Sequence, residues 1–153
     1  MTSLKYDKVY SQLFSKVEAY DFLELPEDTL NEFLCNWLHS ASANPYVRKL
    51  FSSFKLDDII QEIQFEVKYS VDADADKEFI VEVLATGLMI AWLEPKVKSL
   101  NNLTKMYGSK EEKWYSEANH LREMNALLQD CKKEQRRMIA DRGSIWNTYL
   151  DGE

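Results

Sequence analysis

The hydrophobic and polar positions of this chain change period several times. Over residues 4–19, Leu4, Tyr6, Val9, Tyr10, Leu13, Phe14 and Val17 fall three and four apart with polar residues between them, which predicts an amphipathic helix. Pro26 followed by Glu27 and Asp28 marks a second start, because proline loses no hydrogen bond in a first turn and acids complement the positive end of a helix dipole. That helix is expected over 26–41, with Leu30, Phe33, Leu34, Trp37 and Leu38 inward. SASANP, residues 40–45, punctuates it, and Val47, Leu50, Phe51 and Phe54 then suggest a short third helix.

Residues 62–71, EIQFEVKYSV, have a period of two: Ile63, Phe65, Val67, Tyr69 and Val71 alternate with polar neighbours. Strict alternation of β-branched and aromatic residues predicts a half-buried strand. The preceding KLDDIIQ fits either a strand or a helix face. A single strand leaves unpaired backbone groups on both edges, so this one must pair with a short strand nearby or with another chain.

DADAD, residues 72–76, then opens a helix whose body, FIVEVLATGLMIAWL, carries Glu82 as its single charge. A helix apolar nearly all round belongs in the centre of a fold. Gly87 costs about 1 kcal/mol against alanine at mid-helix, which close approach of another backbone would offset. Pro95 is expected to bend or end the helix near Trp92 and Leu93, leaving 96–106 as a connector with some helical pattern.

YGSKEEKWY, residues 107–115, reads as a helix start. Ser109 and Glu112 fit a capping box, Gly108 permits the turn, and Glu111 with Glu112 suits the dipole. The last helix should then run to Arg142, with Gly143 and Ser144 closing it. Its apolar positions form a narrow seam: Trp114, Leu121 and Leu128 fall seven apart, as do Met124, Cys131 and Met138, and Gln135 interrupts the line. Such a helix is expected to run along a neighbour without being wrapped by its own domain. Beyond it, Ile145, Trp146, Tyr149 and Leu150 make a tail that tucks back or docks on a partner. The whole pattern predicts a mainly α fold, a helical bundle with a long C-terminal helix and one short β-strand or hairpin. Residues 1–142 form one domain and 143–153 a tail.

At 153 residues and 45% hydrophobic content the chain can bury one ordinary core. Its net charge of -7 has the wrong sign for a protein that binds nucleic acid over its whole surface, so any DNA contact would be local. Two cysteines, Cys35 and Cys131, suit reduced side chains in a reducing compartment. The N-terminus lacks the apolar run of a signal peptide and no segment reaches the length of a membrane span, so a soluble intracellular protein is expected.

Candidate chemistry changes little. Four glycines leave no phosphate loop or dinucleotide fingerprint. Cys35 and His39, four apart, share a helix face and would supply half of a metal site or a thiolate pair; the other half is not visible, and Phe33, Leu34, Trp37 and Leu38 around them read as core. A calcium loop beginning at Asp72 requires glycine and glutamate where Lys77 and Val83 stand, so DADAD reads as a solvated helix start. KKEQRR, with Lys132, Lys133, Arg136 and Arg137, is a phosphate contact or, more simply, a charged helix face. Trp114 and Tyr115 sit among charges that cancel, which favours a protein contact over base stacking. No enzyme, cofactor or metal is expected.

The order of LATGLMIAWLEP (84–95), TKMYGSKEEKWYSEANHLREMNAL (104–127) and a charged helix, together with LKYDKVYSQLFSKVEAYDFLEL (4–25), resembles the head-to-tail connector, or neck adaptor, proteins of long-tailed bacteriophages. Residues 44–72 match no part of that pattern. The resemblance implies a non-enzymatic virion protein, made in the host cytoplasm and placed in the neck. It implies a ring, commonly of twelve copies, on the portal protein, bridging it to the next neck or tail component. DNA would pass through the channel without sequence-specific binding, and no membrane is involved. Assembly contacts implied by the same pattern are Gly108, Lys110, Glu111, Glu112, Trp114, Tyr115 and Asn119, with Trp146, Tyr149 and Leu150 of the tail as further partner contacts. A tail completion protein, or a small helical regulator binding DNA or protein through KKEQRR, are the alternatives.

Overall fold

In a computed structural model, the structure describes residues 1–17, 26–106 and 111–145, with side chains described for 1–17, 26–99 and 119–143. The described elements run β1 (Thr2–Lys5), α1 (Tyr6–Lys16), α2 (Glu27–Ala43), α3 (Pro45–Arg48), β2 (Phe51–Asp57), β3 (Glu62–Val67), α4 (Ala73–Met106) and α5 (Glu111–Ile145). The fold is mainly α with a small antiparallel sheet, in which β3 lies between β1 and β2.

The strand that needed a partner has two. Ile63, Phe65 and Val67 of β3 are buried, as the alternation predicts, but pairing stops at Val67 and leaves Tyr69 and Val71 exposed. β2 is the segment expected to be a third helix. That helix is one turn, α3, capped by the Asn44 side chain, which accepts from the Tyr46 amide. Positions 47, 50, 51 and 54 keep helical spacing, but pairing with β3, through a register shift between Phe51 and Ser53, overrides it and decides for strand. β1 takes the first residues of the expected N-terminal helix, because Thr2–Lys5 complete the second edge of β3 and bury Leu4 opposite Ile63. α1 therefore starts at Tyr6, whose amide bonds to the Gln61 carbonyl at 3.0 Å.

α4 is the central helix. Ile80, Val83, Leu84, Ala85, Leu88, Met89 and Leu93 are buried, and α1, α2 and α5 all pack on it. Its one mid-body charge, Glu82, meets Lys16 at 2.9 Å and accepts from Gln12, at the α1 edge. The helix passes through Pro95 to Met106 without ending. The lost backbone bond is tolerated because α5 lies alongside, with Lys132 of α5 pairing with Glu94 at 3.1 Å. α5 likewise passes through Gly143 and Ser144, which were expected to stop it.

α4 and α5 are antiparallel: Arg142 meets Asp76, Gln135 meets Val83 and Lys132 meets Glu94. The seam of the C-terminal half of α5 is thus buried by its own domain, where a helix running along a neighbour and not wrapped by its domain was expected, with Leu128, Cys131, Gln135 and Arg142 buried. Leu121, Met124 and Met138 lie half-buried along the same seam. Gln135 completes the seam it was expected to interrupt, donating from Nε2 to the Val83 carbonyl at 3.2 Å. Gly87 is the close-approach position, facing Ala41 of α2 and Gln135 of α5. In α2, Leu34 and Leu38 point inward as expected, whereas Phe33 is exposed and stacks on Trp37. Among the described residues no helix is long and apolar enough to cross a membrane.

Candidate functional site

Two places gather side chains that a packed core does not require. The first is a cleft of about 700 Å³ bounded by α3, the ends of β2 and β3, and the C-terminal part of α5. Its floor is apolar, with Leu50, Val67 and Ile139, and its rim carries Tyr46, Tyr69, Lys49, Lys68 and Arg136. Among the described residues no carboxylate lines it, and Lys49 Nζ lies 5.1 Å from the centre of the Tyr46 ring. Lys49, Lys68 and Arg136 make no ion pair among the described residues, so a chain of net charge -7 carries a concentrated basic patch here. Cations beside aromatic rings over an apolar floor suit an acidic segment that also brings small apolar side chains.

Behind the cleft, Asp76 and Arg142 form a buried ion pair joining the first turn of α4 to the last turns of α5. Asp76 also accepts from the Ser70 hydroxyl and, at 3.1 Å, from the Val71 amide, while the Arg142 guanidinium lies 4.8 Å from the Phe79 ring centre. DADAD is therefore only partly a solvated start. Asp72 caps α4 by accepting from the Ala75 amide and Asp74 is exposed, but Asp76 is structural.

KKEQRR does not act as one patch. Lys132 is held by Glu94, and Arg137 by Glu134 and Asp141 on its own helix face. Arg136 alone of the four lines the basic cleft, joined there by Lys49 and Lys68 from elements the sequence does not place near it.

The second place is the tip of the β2–β3 hairpin where it meets α2. Asp57 accepts from the amides of Ile59 and Ile60, and Gln61 takes a left-handed φ of 52°. This turn displays Ile59, 95% exposed, and Ile60, and it aims Asp58 back at the domain. There Asp58 Oδ1 accepts from Tyr6 Oη at 2.7 Å and meets His39 Nε2 at 2.9 Å and Cys35 Sγ at 3.6 Å. The hydrogen bonds from Tyr6 and His39 hold the Asp58 carboxyl below its usual range. Burial, reinforced by Asp58, pushes the Tyr6 hydroxyl and the Cys35 thiol up. Cys35 and His39 were visible in the sequence as half a site. Asp58 was missed because its place beside them depends on a hairpin that local patterns left ambiguous, and the DDII turn was its one local signal.

Of the assembly contacts expected from sequence, Glu111, Glu112, Trp114 and Tyr115 belong to the first turns of α5, but their side chains lie outside the described residues. Gly108, Lys110, Trp146, Tyr149 and Leu150 also lie outside them. Asn119 is exposed on α5 and is not brought near the cleft or the hairpin tip. No protein-family model, no curated protein and no solved structure matches this chain.

Proposed function

We propose that this chain is a non-enzymatic structural protein of the bacteriophage neck, a head-to-tail adaptor that forms a ring on the portal and leaves a passage for DNA. The observation that carries the reading is the pair of long antiparallel helices. α4 and α5 have 34 and 35 residues, each about 50 Å, and among the described side chains of α4 the fully buried ones end at Leu93. From there α4 continues to Met106, about 20 Å further. A strut of that length serves to span between neighbours; a core of this size does not need it. The resemblance of residues 84–95 and 104–127 to neck adaptors lies on this strut. The basic cleft and the two displayed isoleucines supply surfaces for adjacent subunits, and the overall acidic charge suits a passage through which DNA slides without sticking.

The test is to mix the purified protein with portal assemblies of the same phage and measure particle mass. A monomer that joins the portal as a ring, and fails to join when residues 146–153 are removed, is the expected result. Absence of the protein from purified virions would refute the reading. A second reading, a small regulator that binds DNA or an acidic protein segment, draws on the same cleft. Salt-sensitive DNA binding that disappears in a Lys49→Glu, Arg136→Glu variant would favour it.

A further inference from the structure

We infer that Cys35, His39 and Asp58 form a binding site for a divalent transition metal, zinc above all, at the junction of α2 and the β2–β3 turn. One sulfur, one imidazole nitrogen and one carboxylate oxygen lie within 4.8 Å of one another. Cys35 and His39 share a helix face one turn apart, and Asp58 closes on them from the hairpin. Ligand atoms roughly 2.0–2.3 Å from a tetrahedral zinc ion are themselves between 3 and 4 Å apart. The 3.6 Å from Sγ to Oδ1 already meets that spacing, and the 2.9 Å from Nε2 to both carboxylate oxygens needs only a small opening.

A Cys-His-Asp nucleophile arrangement fits less well. It requires the thiol on one ring nitrogen and the carboxylate on the other, with the imidazole between them. Here thiol and imidazole both converge on Asp58 Oδ1, and His39 presents the carboxylate with the nitrogen a base would need for the thiol. Convergence on one point is the geometry of chelation. Charge agrees: a thiolate and a carboxylate balance a divalent ion, which on binding displaces the thiol proton to solvent.

Tyr6 supplies the outer support. Fully buried in the core, it donates its hydroxyl to Asp58 at 2.7 Å and fixes the carboxylate's direction. His39 and Asp58 are exposed, which leaves a fourth coordination position to water. The bound ion would pin the isoleucine-bearing turn to α2. This inference does not depend on the neck-adaptor reading.

The full chain, stripped with a chelator, is titrated with cobalt and then with zinc. One equivalent of cobalt should bind with a thiolate-to-cobalt charge-transfer band, and zinc should displace it. Zinc affinity should fall at least about tenfold in His39→Gln, in Asp58→Asn and in Tyr6→Phe, and stay unchanged in Cys131→Ala. His39 and Asp58 are exposed, so circular dichroism should show those two variants folded. Cobalt binding without the thiolate band, equal zinc affinity in folded His39→Gln and Asp58→Asn, or no binding below millimolar metal would each overturn the site.

Discussion

Gly87 sits where three helices meet, and its missing side chain does two jobs. A Cβ there would lie 2.8 Å from Ala41 Cβ and 3.2 Å from Gln135 Nε2, so hydrogen at this position admits α2 and lets the Gln135 amide reach the Val83 carbonyl. Gly87→Ala should therefore destabilise the protein by about 1–2 kcal/mol in chemical denaturation, although alanine is the better helix former. A more stable variant would show that α2 yields easily. Arg142 carries the larger stake. Replacing it with Met leaves Asp76 buried with Ser70 and the Val71 amide as its partners among the described residues, and should cost about 3 kcal/mol. The same denaturation experiment on Arg142→Met with Asp76→Asn should recover part of that loss, because no uncompensated charge then remains.

The elements divide into those that local pattern dictates and those that pairing dictates. α1 and α2 follow from helical periodicity, α4 from a long apolar run and α5 from a sparse seam, and among the described residues the packing agrees with each pattern. β1 and β2 do not, since the start of one helical pattern and a segment with helical spacing become strands only when β3 offers its edges. Removal of residues 1–5 should accordingly expose the β3 edge and forfeit the burial of Leu4. The melting temperature should fall by roughly 5–10 °C, with increased self-association measured by light scattering. Pro95 and Gly143 show the same override inside helices. Each is a stop signal by local chemistry, and each is carried through because a helix alongside already fixes the backbone.

At the scale of the whole molecule, charge is segregated. The chain is acidic overall, while Lys49, Lys68 and Arg136 converge from the end of α3, the end of β3 and α5 on one patch that makes no ion pair among the described residues. Reversing Lys49 and Arg136 to glutamate touches exposed side chains, so stability should change by no more than about 0.5 kcal/mol for each. On the proposed neck-adaptor reading, binding to a portal assembly should weaken at least about tenfold in a pull-down titration. Unchanged binding would move the docking surface elsewhere, with the isoleucine turn next to be tested. The sequence by itself determined the mainly α class, the central position of α4, the close approach at Gly87 and the long last helix. Each of these follows from periodicity or from one residue's backbone chemistry. Only the tertiary structure decided the three-stranded sheet, the Asp76–Arg142 lock, the basic cleft and the meeting of Asp58 with Cys35 and His39. Apart from the β2–β3 hairpin, those features join residues distant in the chain, and their pairing energy is absent from any local stretch of it.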